Sequence, residues 1–82
     1  MILTTAQGVY QTEYSSTQQP IIQNLGPGTL YISASSTDLV NSGIQLPTGA
    51  VYEFPTTLVE GSGTVFIQAS GSNCDVRMMN VG

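Results

Sequence analysis

Eighty-two residues make one domain at most, and a domain so short buries too little surface for its core to be secure unaided. One cysteine, Cys74, rules out an internal disulfide, and the lack of histidine rules out the usual zinc cluster, so association with another chain is the staple left open. Only 7% of residues are charged, against about 25% in an average domain. There is no lysine; Arg77 is the sole cation beside Glu13, Asp38, Glu53, Glu60 and Asp75, and the net charge is -4. That balance excludes nucleic acid as a partner, because nothing replaces phosphate counterions, and excludes an anionic membrane surface for the same reason.

In chain order the pattern is one of short alternating runs broken by Gly, Pro, Asn and Ser. No apolar period of 3.6 persists, and that combination predicts an all-β chain. MILTTAQG has no basic start and no long apolar run, so it reads as neither a targeting segment nor a membrane span. Met1 to Thr5 is a first short strand or part of an arm. Gly8 to Tyr14 alternates weakly, with Val9 on one face and Tyr10 and Tyr14 on the other. A polar linker follows, then a strand IIQNL opened by Pro20. Gly26-Pro27-Gly28 is expected to turn the chain. Leu30, Ile32 and Ala34 alternate inward on the next strand. Asp38-Leu39-Val40 reads as its return, followed by short strands at Ile44 to Leu46 and Ala50 to Phe54. A further short strand is expected at Thr56 to Val59. Val65, Ile67 and Ala69 then repeat the inward alternation, Gly71-Ser72-Asn73 turns, and Cys74 to Val81 closes the chain. The sum is a small antiparallel β-sandwich, jelly-roll-like, of about seven or eight short strands. Residues 1–19 form an amino-terminal arm or edge strand, and residues 20–82 the sandwich.

One phrase occurs twice. GTLYISAS from Gly28 to Ser35 and GTVFIQAS from Gly63 to Ser70 share Gly-Thr, an aliphatic, an aromatic, Ile, a variable residue and Ala-Ser. Two copies are too few for a solenoid. They read as two equivalent hairpins of one sheet system, with Asp38 and Asp75 in matching places.

Catalysis has little to work with. There is no histidine to act as base, no lysine for a Schiff base and no Ser-His pair, so the chain is expected not to be an enzyme. Cys74, in line with Val76 and Met78, reads as a buried thiol. Glu53 and Glu60, and Asp38 and Asp75, are scattered acids. They match neither a glycosidase pair nor a calcium loop, and no metal or cofactor is expected. A sugar platform would have to come from Tyr10, Tyr14, Tyr31 or Tyr52, since tryptophan is absent. Arg77, two residues from Asp75, reads either as a surface ion pair or as an interface contact. The stretch TTAQGVYQTEYSSTQQ, with Val9, Tyr10 and Tyr14, reads as a plain edge strand or as an arm that lends a strand to another protein. As an arm it would be removable without cost to the sandwich.

Residues 20–79 carry a resemblance. Asn24-Leu25-Gly26, a strand with Leu30-Tyr31-Ile32, Ser42 to Leu46, Tyr52-Glu53-Phe54 and the ending Asp75-Val76-Arg77 together resemble small structural proteins of tailed bacteriophages, most of all head decoration (cement) proteins. The resemblance implies a virion protein on the outer surface of the head, made in the host cytoplasm. Its partner would be the major capsid protein, and it would act as a homo-oligomer, a trimer by preference. On that reading the amino-terminal arm, with Val9, Tyr10 and Tyr14, is expected to face the capsid, and one sheet edge together with Arg77 to serve subunit contacts. A tail or fibre β-module touching a host glycan or protein is the other expectation.

Overall fold

The computed structural model describes residues 1–15, 19–53 and 62–81. Its strands are β1 (Ile2–Leu3), β2 (Val9–Ser15), β3 (Gln19–Ser33), β4 (Ile44–Leu46), β5 (Val51–Glu53) and β6 (Ser62–Val81), with a 3-10 turn at Thr5–Gln7 and one short helix, α1 (Leu39–Ser42). All six strands belong to one antiparallel sheet. β3 and β6 lie side by side at its centre. β1 and β2 flank β6, and β4 and β5 flank β3.

The chain is all-β, as its alternation predicts. Among the described residues the strands are fewer and longer than expected, because two turn signals are not turns. Gly26-Pro27-Gly28 lies inside β3, and Gly71-Ser72-Asn73 lies inside β6. Both triplets mark register irregularities in the β3–β6 ladder, where Asn24 faces Val76, Pro27 faces Cys74 and Thr29 faces Ser70. The Gly26–Pro27 peptide is cis, and Gly26 and Gly71 have positive φ. A bulge and a turn draw on the same permissive residues, so local sequence marks a break without saying whether the chain reverses there. The strand expected at Thr56 to Val59, and Phe54 and Glu60, lie outside the described residues.

Length forces the sheet to bend. Twenty extended residues of β6 would span about 66 Å, and the longest dimension of the molecule is 34 Å. The sheet therefore folds over at the paired irregularities. Its two halves close on one apolar cluster: Leu30, Ile32, Leu46, Val65, Ile67 and Ala69 from one, Leu3, Ile22, Cys74 and Val76 from the other. On β3 the buried positions keep a strict alternation from Ile22 to Ile32. On β6 they are Val65, Ile67 and Ala69 before the break and Cys74 and Val76 after it. Residues 70–73 thus shift the inward face of β6 by one.

The repeated phrase has a structural meaning that differs from two hairpins. Residues 29–33 pair antiparallel with residues 66–70, and Ile32 stands opposite Ile67, its own counterpart in the repeat. The copies are neighbours across a local two-fold. Beyond them they diverge. Asp38, in the left-handed region (φ 59), starts α1, while Asp75 lies within β6. Asp38 Oδ1 accepts from Asn41 Nδ2 at 2.8 Å and its carbonyl accepts from Ser42 Oγ at 2.7 Å. Four residues make too short a helix to show a period, yet its Leu39 is buried.

Residues 1–15 lie on the sheet. Ile2 and Leu3 pair with Asp75 and Cys74, and Val9 to Ser15 pair with Gln68 to Ser62 without a slip. Leu3 is fully buried in the core cluster. A segment that supplies core and ladder in this way is not a dispensable arm.

The bend leaves backbone polar groups with no ladder partner, and Asn24 takes them up. Its buried amide donates to the carbonyls of Gly28 and Leu46, both at 2.9 Å, and its Oδ1 accepts from the Gly26 N–H at 2.9 Å. Its own backbone is held by Ala50 O (3.0 Å) and Gly49 N (2.6 Å). Thr48 Oγ1 adds bonds to the Pro27 and Gly28 carbonyls. Gly28 is required for space, since a Cβ there would run into the Ser72 carbonyl, and backbone has no rotamer to yield. Asn24→Ala removes three buried hydrogen bonds and leaves the Gly26 N–H without its partner, which alone costs about 1–3 kcal/mol. We expect a loss of about 3 kcal/mol, read as a lower urea midpoint at unchanged m-value, and Gly28→Ala to be at least as damaging.

Candidate functional site

The described residues contain no group of three or more His, Cys, Asp or Glu placed to hold a metal ion. No helix among them is long and apolar enough to cross a membrane. Asp38 is engaged at the start of α1, and Asp75 pairs with Arg77, Oδ1 to Nε at 3.5 Å. Glu53 ends β5, two strands across the sheet from β6, which carries Asp75. Tyr10 and Tyr31 share no platform. Tyr31 stands opposite Gln68 on the outer face, while Tyr10 stands opposite Ile67, whose side chain points into the core.

Cys74 is fully buried, opposite Pro27 at the bend. Burial pushes its thiol above its ordinary pKa, and a backbone hydrogen bond with Gly28 opposes this in part. The thiolate is therefore disfavoured in the fold, and Cys74 is a core residue rather than a nucleophile.

What the sheet does present is two surfaces. The first is the β2 edge. β2 pairs with β6 on one side and with no other described strand on the other. The other edge strands, β1, β4 and β5, have two or three residues each, whereas β2 has seven. Proteins normally guard a long edge with Lys, Pro, a bulge or a covering element. β2 reads VYQTEYS, has neither Lys nor Pro, and runs in regular register. Val9 and Tyr10 are exposed and point to opposite faces, and Tyr14 holds the register position opposite Gly63.

The second surface is the outer face of the half containing β5. Arg77, Gln23 and Val51 form one cross-strand row, and Met79, Ile21 and Glu53 the next. A shallow groove of about 270 Å³ is lined by Ile21, Gln23, Val51, Arg77, Met78 and Met79, and Glu53 stands beside it at the end of the second row. Val51 is 51% exposed and Met79 58%, and the Arg77 side chain is 64% exposed. An ion pair as exposed as that of Arg77 with Asp75 contributes little to stability. Arg77 was visible in the sequence as a lone cation. Ile21, Val51, Met79 and Glu53 come from three strands, and no spacing links them.

No family model, curated protein or solved structure matches the chain.

The Cys74 assignment has a pH consequence. The unfolded thiol ionises near pH 8.5 and the folded one higher, so between those values the unfolded state has lost a proton that the native state keeps. Stability is complete below about pH 8.5 and falls as pH rises through the folded value. Denaturant midpoints from pH 7 to 10 should fall more steeply for the wild type than for Cys74→Ala. A thiol reagent at pH 8 should label Cys74 only as the protein unfolds.

Proposed function

We propose that this chain is a non-enzymatic docking module that binds by lending its β2 edge to a partner sheet, and that the partner is the assembled shell of a tailed-bacteriophage head. The observation that carries the docking reading is the seven-residue edge of β2, which no other described strand pairs and which carries one charge, Glu13, and no lysine. Main-chain hydrogen bonds along such an edge supply affinity, and side chains alternating to the two faces, Val9 and Tyr10 first, supply fit. The near-absence of charge supports a protein partner: Ser, Thr, Gln and Asn lose less on desolvation than Lys or Glu would. The resemblance of residues 20–79 to cement proteins supports the choice of a capsid.

The mechanism follows from linkage. A module that binds only the assembled shell stabilises that state, and it does so without chemistry. Each copy need contribute only a modest contact, because many copies act on one shell. Binding across joints between major capsid protein subunits would resist their separation.

Two measurements test this. Quantitative mass spectrometry of purified virions should find on the order of hundreds of copies per particle. About a dozen or fewer would assign the chain to the tail or fibres, and absence from particles would reject a virion role. Gln11→Lys places a charge on the exposed β2 edge, outside the core. It should abolish binding to heads while leaving the circular dichroism spectrum and melting curve unchanged. Retained binding by a folded Gln11→Lys protein would show that β2 is not the docking edge.

A further inference from the structure

We infer that the groove on the outer face of β3, β5 and β6 is the seat of a second copy of this chain, docked face to face about a two-fold axis. The inference does not depend on a viral partner. It rests on how one base, one acid and two apolar side chains are arranged.

Register sets the positions. Arg77 and Val51 end one row on either side of Gln23, and Met79 and Glu53 end the next on either side of Ile21. Rows and columns make a patch about 9.6 Å across the strands and about 6.8 Å along them. Arg77 and Glu53 occupy one diagonal; Met79 and Val51 occupy the other. All four are exposed.

A two-fold contact makes a surface meet itself, so it must be its own complement. An axis lying in the face along the Met79–Val51 diagonal achieves this. It sets Arg77 of each copy over Glu53 of the other, twice over. Met79 and Val51 lie on the axis and meet their own counterparts, and Ile21 falls close to the second copy's Gln23. The strands of the two faces then cross steeply, nearer the orthogonal than the aligned class of sheet packing. A different protein with an acidic patch would satisfy Arg77 and leave Glu53 without a cation, so charge complementarity selects a second copy. Asp75 engages Arg77 at Nε, and the guanidinium has further N–H groups for a second carboxylate. The contact is isologous, so it yields dimers and not the three-membered ring that the phage resemblance implies.

Sedimentation equilibrium of the full chain from micromolar to millimolar concentration tests it. A monomer–dimer equilibrium is expected. Arg77→Glu and Glu53→Arg should each weaken the dimer by at least about tenfold, because each places like charges together at two symmetric points. The double variant Arg77→Glu/Glu53→Arg should restore dimerisation to near the wild-type value. Glu53→Arg leaves the Asp75–Arg77 pair in place, which separates the intermolecular effect from the intramolecular one. At concentrations low enough for the wild type to be monomeric, melting curves of all three should match it, since both side chains are exposed. A wild type that stays monomeric, a trimer, single variants without effect, or a double variant that fails to restore the dimer would each overturn the assignment. None of these outcomes involves capsids, so they leave the docking of β2 to be judged separately.

Discussion

The bend in β3 is the constraint on which the rest of this small protein depends. Two strands of 15 and 20 residues cannot run straight in a body 34 Å long. Bending them interrupts the ladder at the point where the two halves of the sheet meet. Interrupted ladder means buried N–H and C=O groups, and each left without a partner would cost a noticeable fraction of a small domain's stability. Asn24 answers with both amide hydrogens and its Oδ1, all spent on backbone. An aliphatic side chain would fill the same volume and leave those groups stranded. The one buried polar side chain among the described core residues is therefore what lets the apolar ones meet.

The bend also sets which side chains face outward. On β3 the alternation passes through the irregularity intact, but on β6 residues 70–73 shift it by one. Cys74 and Val76 consequently turn to the core, and Arg77 and Met79 to the outer face, in line with Gln23 and Ile21. Had β6 kept the phase of Val65, Ile67 and Ala69, Arg77 would have pointed into the cluster. An unpaired guanidinium cannot be buried there at tolerable cost. The charge of one residue thus helps to select the register of a strand twenty residues long.

Much of the fold could be read from the sequence, and the failures have one cause. Alternation located the strand segments, and inward positions such as Leu30, Ile32, Val65 and Ile67 were visible because period two is a local property. Connectivity was not, because Gly26-Pro27-Gly28 and Gly71-Ser72-Asn73 use the residues of a turn to make a kink. The repeat announced an equivalence, but not that the equivalent strands would be each other's partners. The surfaces were legible in proportion to how local they are. β2 is contiguous, and Val9, Tyr10 and Tyr14 could be singled out from its pattern. The patch around the groove is assembled from residues 21–23, 51–53 and 77–79, and only its charges, Arg77 and Glu53, stood out, with nothing in their spacing to bring them together.

The two surfaces belong to different halves of the folded sheet. β2 lines the edge of the half containing residues 62–68, and the groove lies on the face of the half containing residues 77–79. Occupying one does not cover the other. A pair joined at the groove would carry two β2 edges held at a fixed separation. Once one edge engages, the second meets its target at an effective concentration set by the dimer geometry rather than by the bulk solution. This matters for a chain with so little charge, because long-range steering cannot speed its encounters. With few charges to attract a partner and a small area for each contact, multiplicity is the physical route by which such a module can hold a large surface firmly.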